Sequence, residues 1–284
     1  MRPQLNSFGM GMVVAGIAVA AAPCARSGGS TPPPMAVDVP EPLAEAEGEP
    51  TPPPTFRTLT HRGRVFHVAT LDLGSHHLHM AGQNSSWSHP RTLVQLANRV
   101  TSEGEQLLWA TNVGIFHEGG RPVGLHVEEG KALSPLNTED GRGNFFLRPN
   151  GAFLVGQSGA RIRTTTELVS GLGDVGFATQ SGPILLRKGE LHPALMAESP
   201  NLRLRSGVGV SDAQTVHFAI SDGPVRFHEL ATLFRDELGC ADALYLDGVI
   251  SEWVSPQRPV AGSTRAFSGF FYVTQPLNDD SPRR

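Results

Sequence analysis

The chain has 284 residues, with 27 acidic and 23 basic side chains and a formal net charge of -4 at pH 7. Most of the charge imbalance lies in the first 54 positions, so the rest of the chain is nearly neutral, and neither a nucleic-acid footprint nor a basic membrane patch is indicated. Of the two cysteines, Cys24 lies before the domain predicted below and Cys240 stands alone within it, which excludes an internal disulfide or a thiolate metal site in that domain.

The N-terminal segment has the pattern of an export leader. Arg2 precedes an uncharged apolar run at 8–22, which has the length of a signal-peptide core and is short for a membrane span. Cleavage after Ala20 and lipid attachment at Cys24 both fit the residues that follow. Residues 1–24 are therefore predicted to be a signal peptide or a lipoprotein leader. The predicted location is outside the cytoplasm: periplasmic, anchored to the outer membrane, or secreted.

Residues 25–55 are predicted to be a disordered, proline-rich and acidic linker. Two Thr-Pro-Pro-Pro runs enclose four glutamates, and such a composition cannot bury enough apolar surface to fold. Residues 56–275 are predicted to form one domain, in which frequent glycines and short apolar runs favour strands. Residues 276–284 are predicted to be a disordered tail.

The domain is predicted to begin with a strand at Val65–Leu71, followed by a helix. Apolar positions between 93 and 100 recur at helical spacing, Ser88 is the predicted N-cap, Pro90 suits the first turn, and Gly104 ends the helix. Further strands are predicted at 107–110, 122–127, 144–155 with a turn at Asn150-Gly151, and 177–186 with an interruption at Ser181-Gly182-Pro183.

The C-terminal part is predicted to contain a hairpin, a helix and two more strands. The hairpin joins 216–220 to 225–227, and the helix His228–Leu238 stops at Gly239. A buried strand at 243–246 then ends in Asp247-Gly248, and 269–273 forms the closing strand. The predicted fold class is α+β: a single strand-rich domain with mixed sheets and a few helices.

Four polar motifs interrupt this glycine-rich and apolar sequence. They are Asn112-Val-Gly-Ile-Phe116, Thr179-Gln-Ser-Gly-Pro183, Arg205-Ser-Gly-Val-Gly209 and Leu246-Asp-Gly-Val-Ile-Ser251. Together with Pro122-Val-Gly-Leu125 and the segment 143–151, the motifs resemble, in the same order, the bacterial branch of the phosphodiester glycosidase family, whose animal relative uncovers mannose 6-phosphate on lysosomal enzymes. The resemblance covers about residues 56–275. It implies a strand-rich α+β fold and cleavage between a sugar's anomeric carbon and a phosphodiester oxygen.

Asp247 and Arg205 are the predicted catalytic residues. A carboxylate stabilises positive charge that develops on the sugar, and an arginine can hold two phosphate oxygens in a bidentate fork. The predicted substrate-binding residues are Asn112, His117, Gln180, Ser181 and Ser251. Each of these side chains also has a structural interpretation: a turn residue, a cap, a surface ion pair or a strand-end hydrogen bond.

Several alternatives remain open at this stage. Glu118 and Glu252 are both hypotheses for a second carboxylate, and the family often has glycine where this chain has Val249, which could stiffen the turn after Asp247. The cluster His76-His77-x-His79 suggests a metal, but only His77 and His79 would share a strand face, so neither a metal nor a cofactor is predicted.

The predicted function is a hydrolase that cleaves the glycosidic bond of a sugar 1-phosphodiester in envelope or extracellular glycans. The predicted partner is this sugar phosphodiester or glycan, and not a nucleic acid. The alternatives are a carbohydrate-binding domain without turnover and a transferase that modifies a sugar-phosphate polymer.

Overall fold

The computed structural model describes residues 53–82, 91–248, 251–260 and 264–277. The predicted leader, nearly all of the predicted linker, Ser88, Pro90 and Val249 lie outside these ranges. Within the ranges the chain forms sixteen strands, three short α-helices and a single 3-10 turn at Asn144–Phe146. The strands are β1 Thr55–His61, β2 Arg64–Asp72, β3 His79–Ala81, β4 Glu105–Asn112, β5 His126–Glu128, β6 Lys131–Ser134, β7 Gly151–Gly156, β8 Gly159–Thr164, β9 Phe177–Ser181, β10 Ile184–Arg187, β11 Glu190–Leu191, β12 Ser206–Val210, β13 Thr215–Ser221, β14 Asp242–Tyr245, β15 Trp253–Val254 and β16 Phe270–Pro276. The helices are α1 Leu93–Ser102, α2 Thr165–Leu168 and α3 Phe227–Thr232, the last continued by a wider turn at Leu233–Glu237.

The described strands are arranged in three sheets. The first sheet has the order β1-β2-β13-β12-β14-β10-β11, the second β15-β4-β16-β3, and the third β6-β5-β9-β7-β8. The strand pairs in these sheets are antiparallel. The strand-rich fold with few helices is confirmed, whereas the expectation of mixed sheets is corrected, because short turns and crossovers return each strand antiparallel to its neighbour.

The largest hydrophobic cluster lies where the three sheets meet. Val208 and Phe218 come from the first sheet, Trp109 and Phe271 from the second, and Phe153 from the third, and all five are nearly or completely buried. The four aromatic rings among them contact one another edge-on or tilted, with centroids 4.7–5.9 Å apart. Burying these large side chains provides the main favourable free energy of folding, and it fixes the sheets against each other.

Smaller clusters attach the helices to the outer faces of the sheets. The turn after α3 packs Phe234 against the first sheet. A side chain at Gly209 would lie 2.5 Å from the Phe234 ring and 2.6 Å from Cys240 Sγ, so glycine allows this close approach. Cys240 is free and buried, and burial raises the pKa of its thiol to about 12. No helix among the described residues is both long enough and apolar enough to cross a bilayer.

The start of the fold differs from the sequence-based expectation. The first strand is β1, which pairs with β2 across the tight turn at Arg62-Gly63, where both residues have positive φ. Helix α1 begins later than predicted. Its cap is Thr92, whose hydroxyl accepts from Gln95 N (3.1 Å), while Gln95 Oε1 accepts from Thr92 N (3.2 Å). This reciprocal capping box makes Thr92 the N-cap, so the helix begins four residues later than the predicted cap at Ser88 would place it.

The turn predicted at Asn150-Gly151 is wrong. Asn150 is buried, donates to the carbonyl of Phe145 (2.7 Å) and accepts from Thr165 Oγ1 (2.8 Å). The hairpin of β7 and β8 turns instead at 157–158, because Gly156 is paired with Gly159. Asn-Gly favours a tight turn, but here the side chain of the asparagine makes hydrogen bonds to Phe145 and Thr165, and these bonds hold Asn150 outside a turn.

Two other predicted elements divide in the structure. The strand expected at 177–186 is two strands in different sheets, since Ser181-Gly182-Pro183 carries the chain from β9 in the third sheet to β10 in the first. The hairpin expected across Asp222-Gly223 does not form. Val225 pairs instead with Arg203, with backbone hydrogen bonds of 2.7 and 3.1 Å, and Phe227 begins α3.

Candidate active site

Asp247 lies two residues beyond the end of the buried strand β14. Its backbone continues the ladder with β12, because Ser206 N donates to the carbonyl of Asp247 (2.7 Å). One carboxyl oxygen, Oδ1, accepts from Gly248 N at 2.5 Å. Burial raises the pKa of Asp247 to about 6, although the Gly248 N–H acts in the opposite direction. The carboxyl group can therefore gain or lose a proton near neutral pH, as expected for a functional acid or base.

A phenol lies close to this carboxyl group, and a guanidinium lies close to the phenol. The pKa of Tyr245 is raised by burial and by the charge of Asp247, while Arg205 and Asn144 lower it. The phenol consequently stays protonated at neutral pH and can donate a hydrogen bond. Glycine follows Asp247 for a steric reason. A side chain at Gly248 would collide with Tyr245 Oη and would lie 2.8 Å from the carbonyl of Leu204.

Arg205 precedes β12 and is buried, with only 1% of its surface exposed. Its Nε donates to the carbonyl of Val225 (2.9 Å), and its Nη2 donates to the carbonyl of Asn201 (3.1 Å). The guanidinium carbon lies 3.5 Å from the centroid of the Phe227 ring. Nη1 is buried and makes no hydrogen bond within the described part of the chain. In this arrangement two of the three guanidinium nitrogens are bonded to the protein's own carbonyls, and the contact of Arg205 with phosphate stays a prediction.

Ser206, which sequence reasoning did not nominate, connects three of the motifs. Its Oγ lies 3.0 Å from Ser251 Oγ, donates to the carbonyl of Asp247 (3.1 Å) and accepts from Asn112 Nδ2 (3.5 Å). Asn112 Oδ1 also accepts from Glu252 N (3.3 Å). The predicted residues Asn112 and Ser251 are thus brought next to the backbone of Asp247, where they position the strand end.

The remaining motif joins the same region through Ser181, whose Oγ donates to the carbonyl of Leu246 (2.9 Å). Gln180 points to other partners. Its Oε1 accepts from the N–H groups of Leu125 and Asn137 (both 2.9 Å), and its Nε2 donates to Asn137 O (2.8 Å) and Thr165 Oγ1 (3.0 Å). Every hydrogen-bonding position of this amide is used within the protein. The substrate contacts of both residues stay predictions, and the geometry shows their structural role.

His117 lies in a different environment from the other predicted residues. It is exposed and lines a cleft of about 400 Å³. We call this the His117 cleft, and its lining residues are His117, Arg121, Pro122, Val123, Leu133, Ser134 and Pro135. Of the two hypotheses for a second carboxylate, Glu118 is exposed, whereas Glu252 is partly buried beside Ser251 and lies 3.9 Å from Arg265 Nε. The structure therefore places Glu252, and not Glu118, beside the Asp247 region.

The histidine cluster forms a stack of rings. His77 stacks on His79 with centroids 4.3 Å apart, and His79 stacks on Tyr272 at 4.9 Å. Burial and the neighbouring His77 lower the pKa of His79 to about 4. His77 lines a cleft of about 730 Å³, to which none of the predicted site residues contributes. Among the described residues, no three His, Cys, Asp or Glu side chains are grouped as a metal site would require.

Comparison with known proteins gives two similarities. The sequence profile of the phosphodiester glycosidase family matches residues 105–274, which is more than half of the chain. The Escherichia coli (strain K12) "Uncharacterized protein YigE" is 35% identical over 161 residues, covering 56% of this chain and 62% of that protein. The chain therefore spans less than two thirds of this relative's length.

A solved structure shows a similar fold. It is the catalytic domain of zebrafish N-acetylglucosamine-1-phosphodiester alpha-N-acetylglucosaminidase, auto-inhibited by its pro-peptide. The TM-score is 0.53 at 18% sequence identity, with 78% of this chain and 81% of the zebrafish chain covered. The matched profile spans all four polar motifs and every residue that meets around Asp247. The chain belongs to the phosphodiester glycosidase family.

Proposed function

We propose that this protein hydrolyses the glycosidic bond of a sugar 1-phosphodiester. The observation that carries the proposal is the Asp247 carboxyl group, which has a pKa of about 6 at the point where the four family motifs meet. In the reaction, the bond between the anomeric carbon and the phosphodiester oxygen breaks, and its electron pair leaves with the oxygen. The oxygen of water forms a new bond to the anomeric carbon, and its proton goes to solvent. The products are a free sugar and a phosphate monoester.

The chemistry requires a negative charge near the sugar more than it requires a strong acid near the leaving group. Positive charge develops on the anomeric carbon, and ionised Asp247 stabilises it. The leaving phosphate monoester has a second pKa of about 6, so it departs far more easily than a sugar alkoxide. A protonated phenol, such as that of Tyr245, suffices to donate a hydrogen bond to the departing oxygen. Arg205 supplies fixed positive charge beside the phenol.

We further propose that the substrate is a glycan of the cell envelope or extracellular space. This part of the proposal is supported by the leader pattern at residues 1–24 and the acidic linker at 25–55. An exported hydrolase meets polymers that contain sugar-phosphate links rather than the nucleotide sugars of the cytoplasm.

The proposal is tested with a panel of sugar 1-phosphodiesters that vary in sugar, anomer and aglycone. Wild-type protein should release free sugar from at least one member without an added acceptor, and Asp247→Asn should reduce kcat by orders of magnitude. Asp212→Asn is a matched control, because Asp212 is an exposed turn residue that accepts from Gln214 and Thr215. Binding without turnover would support a carbohydrate-binding domain instead, and turnover that needs an acceptor would support a transferase.

A further inference from the structure

The His117 cleft is formed by a hairpin and the strand segment that faces it. In the hairpin, Val123 N donates to the carbonyl of Ile115 (3.2 Å), Phe116 pairs with Pro122, and His117 N donates to the carbonyl of Arg121 (2.8 Å). His117 and Arg121 are therefore opposite each other, and opposite residues of an antiparallel pair project to the same side. Both side chains line the cleft, and Ser134 lies on its other wall.

The charge of this cleft is positive. Arg121 is exposed and has no ion pair within the part of the chain that the structure describes. The residues that line the cleft include no Asp or Glu. Glu118 lies in the hairpin turn but is not one of the lining residues. A guanidinium and an imidazole that line the same cleft, with no carboxylate among the lining residues, suit an oxyanion such as phosphate.

Two other described clefts lack this character. The 730 Å³ cleft includes Glu129 and Asp174. A third cleft, of about 400 Å³, includes Arg57 and Arg258 but also Asp222, which lies 3.2 Å from His67. The His117 cleft is the one of these three that combines cationic side chains with no acidic lining residue.

The two walls of the cleft contact the cluster that contains Tyr245 and the motif that contains Gln180. At the base of the hairpin, Ile115 packs against the hydrophobic cluster that contains Tyr245. The walls are also held together by the amide of Asn137. Its Nδ2 donates to the carbonyl of Val123 (2.9 Å), and its backbone N–H and C=O both bind Gln180 (2.9 and 2.8 Å). The backbone at Val123, two residues after Arg121, is thus linked through Asn137 to Gln180 of one of the family motifs.

We propose that the His117 cleft binds a phosphate group of the substrate, with the Arg121 guanidinium as the principal donor and His117 and Ser134 as further donors. The inference rests on the proposed function and names a phosphate-recognition site for it. The arrangement of Arg205 supports the assignment, because its Nε and Nη2 are already bonded to carbonyls in the protein interior. An exposed guanidinium at a cleft can receive a phosphate without breaking internal hydrogen bonds.

The first test is kinetic and uses the full chain. Arg121→Gln should raise KM for a cleaved sugar 1-phosphodiester about tenfold or more, the size expected when a charge-assisted hydrogen bond is lost, and should change kcat less than twofold. Arg121→Lys should recover part of the loss, because it keeps the charge but not the fork. The matched control is Arg163→Gln, which removes one exposed arginine from β8, at the opposite edge of the third sheet. Equal KM values for Arg121→Gln and Arg163→Gln would overturn the proposal.

The second test does not need turnover. Inorganic phosphate and a sugar 1-phosphate are titrated into the wild-type protein while the ring resonances of His117 are followed by NMR. The resonances should shift saturably, and Arg121→Gln should weaken the response at least tenfold while Arg163→Gln leaves it unchanged. Absence of a saturable shift, or the same shift in both variants, would contradict a phosphate site. A saturable shift without any hydrolysis would keep the site and reject the hydrolase.

Discussion

At the scale of single residues, the site depends on the surroundings of Asp247. The carboxyl group is buried enough to raise its pKa to about 6, while a single backbone N–H from Gly248 opposes the shift. Tyr245 is kept protonated by burial and by that same carboxylate. Both pKa values are raised, and they stay well separated, so that Asp247 can act as an anion while Tyr245 still donates a hydrogen bond.

The titration of Asp247 predicts the pH dependence of the reaction. Ionised Asp247 is the active form, so kcat/KM should rise with pH through about 6 and then level off. A phosphodiester substrate keeps one negative charge throughout this range, so the substrate adds no further rising or falling limb to the pH profile of kcat/KM. His117→Asn should keep the limb at the same pH. If the rising limb disappears in that variant, the titration belongs to another group. If activity instead falls above pH 6, the reaction requires protonated Asp247.

The same raised pKa predicts a cost in stability. The folded state holds the Asp247 proton more tightly than the unfolded state does, so this residue's contribution to stability is largest below its ordinary pKa of 3.8 and is lost as pH rises through about 6. Asp247→Asn should therefore be more stable than wild type at pH 7.5, by on the order of 1–3 kcal/mol, and the difference should vanish below pH 4. Urea unfolding of both proteins from pH 4 to 7.5 measures it. A difference that does not change with pH would contradict the burial of this charge.

Arg205 gives a further prediction at this scale. Lysine cannot donate to both Val225 O and Asn201 O, and it cannot stack on Phe227 as a planar guanidinium does. Arg205→Lys should lose about 1–3 kcal/mol of stability because a buried carbonyl is left unpaired, and activity should fall with it. Arg203→Lys is the control, since Arg203 is exposed and two residues away. Equal denaturation midpoints for the two variants would show that the internal hydrogen bonds contribute little.

The residues that the sequence could nominate are those with a distinctive local pattern. Asp247 follows an apolar run and precedes glycine, and Arg205 stands before a serine and a glycine. Ser206 and Tyr245 could not be found in this way. Ser206 is a serine next to an arginine, and Tyr245 is a tyrosine in a buried strand; neither pattern is distinctive in a sequence. The contacts of these two residues arise only when β12 and β14 pair. A serine within a recognised motif was the one signal available for Ser206.

At the scale of elements, the site exists because strand ends from three sheets converge. Asn112 ends β4 of the second sheet, Ser181 ends β9 of the third, and Ser206 begins β12 of the first. The turn at 182–183 is what moves the chain between sheets. Periodicity predicted apolar strand residues at 177–186 correctly, but it carries no information about which sheet each half joins. Likewise, Asn150 could not be recognised as a tertiary link, because its partners Phe145 and Thr165 are not defined by local sequence.

At the scale of the whole molecule, the strand-rich fold class and the order of the motifs were predictable, whereas the arrangement into three antiparallel sheets was not. The central aromatic cluster joins Trp109, Phe153, Phe218 and Phe271, which are separated by up to 162 positions in the numbering. Contacts of such high sequence separation are set by tertiary packing and not by local propensity. The family resemblance therefore carried more information about function than the predicted elements did.

The predicted leader and linker give an expectation for the whole chain. Deleting residues 1–54 should leave cooperative thermal unfolding unchanged, because β1 begins at Thr55 and its pairing with β2 needs nothing before it. On export, the mature chain should begin after Ala20 or at a lipid-modified Cys24. Intact-mass measurement decides between the two ends, and an exported chain that keeps residues 1–20 would contradict both. Loss of a cooperative transition on deletion would show that the removed segment belongs to the fold.

The central claim is that the bond cleaved is the one between the sugar and the phosphodiester oxygen. The direct measurement is hydrolysis of a sugar 1-phosphodiester in water enriched in oxygen-18, followed by mass spectrometry of both products under conditions where the free sugar does not exchange. Cleavage at the anomeric carbon predicts the heavy oxygen in the free sugar and none in the phosphate monoester. Heavy oxygen in the phosphate product would place the cleavage at phosphorus and contradict the account of Asp247.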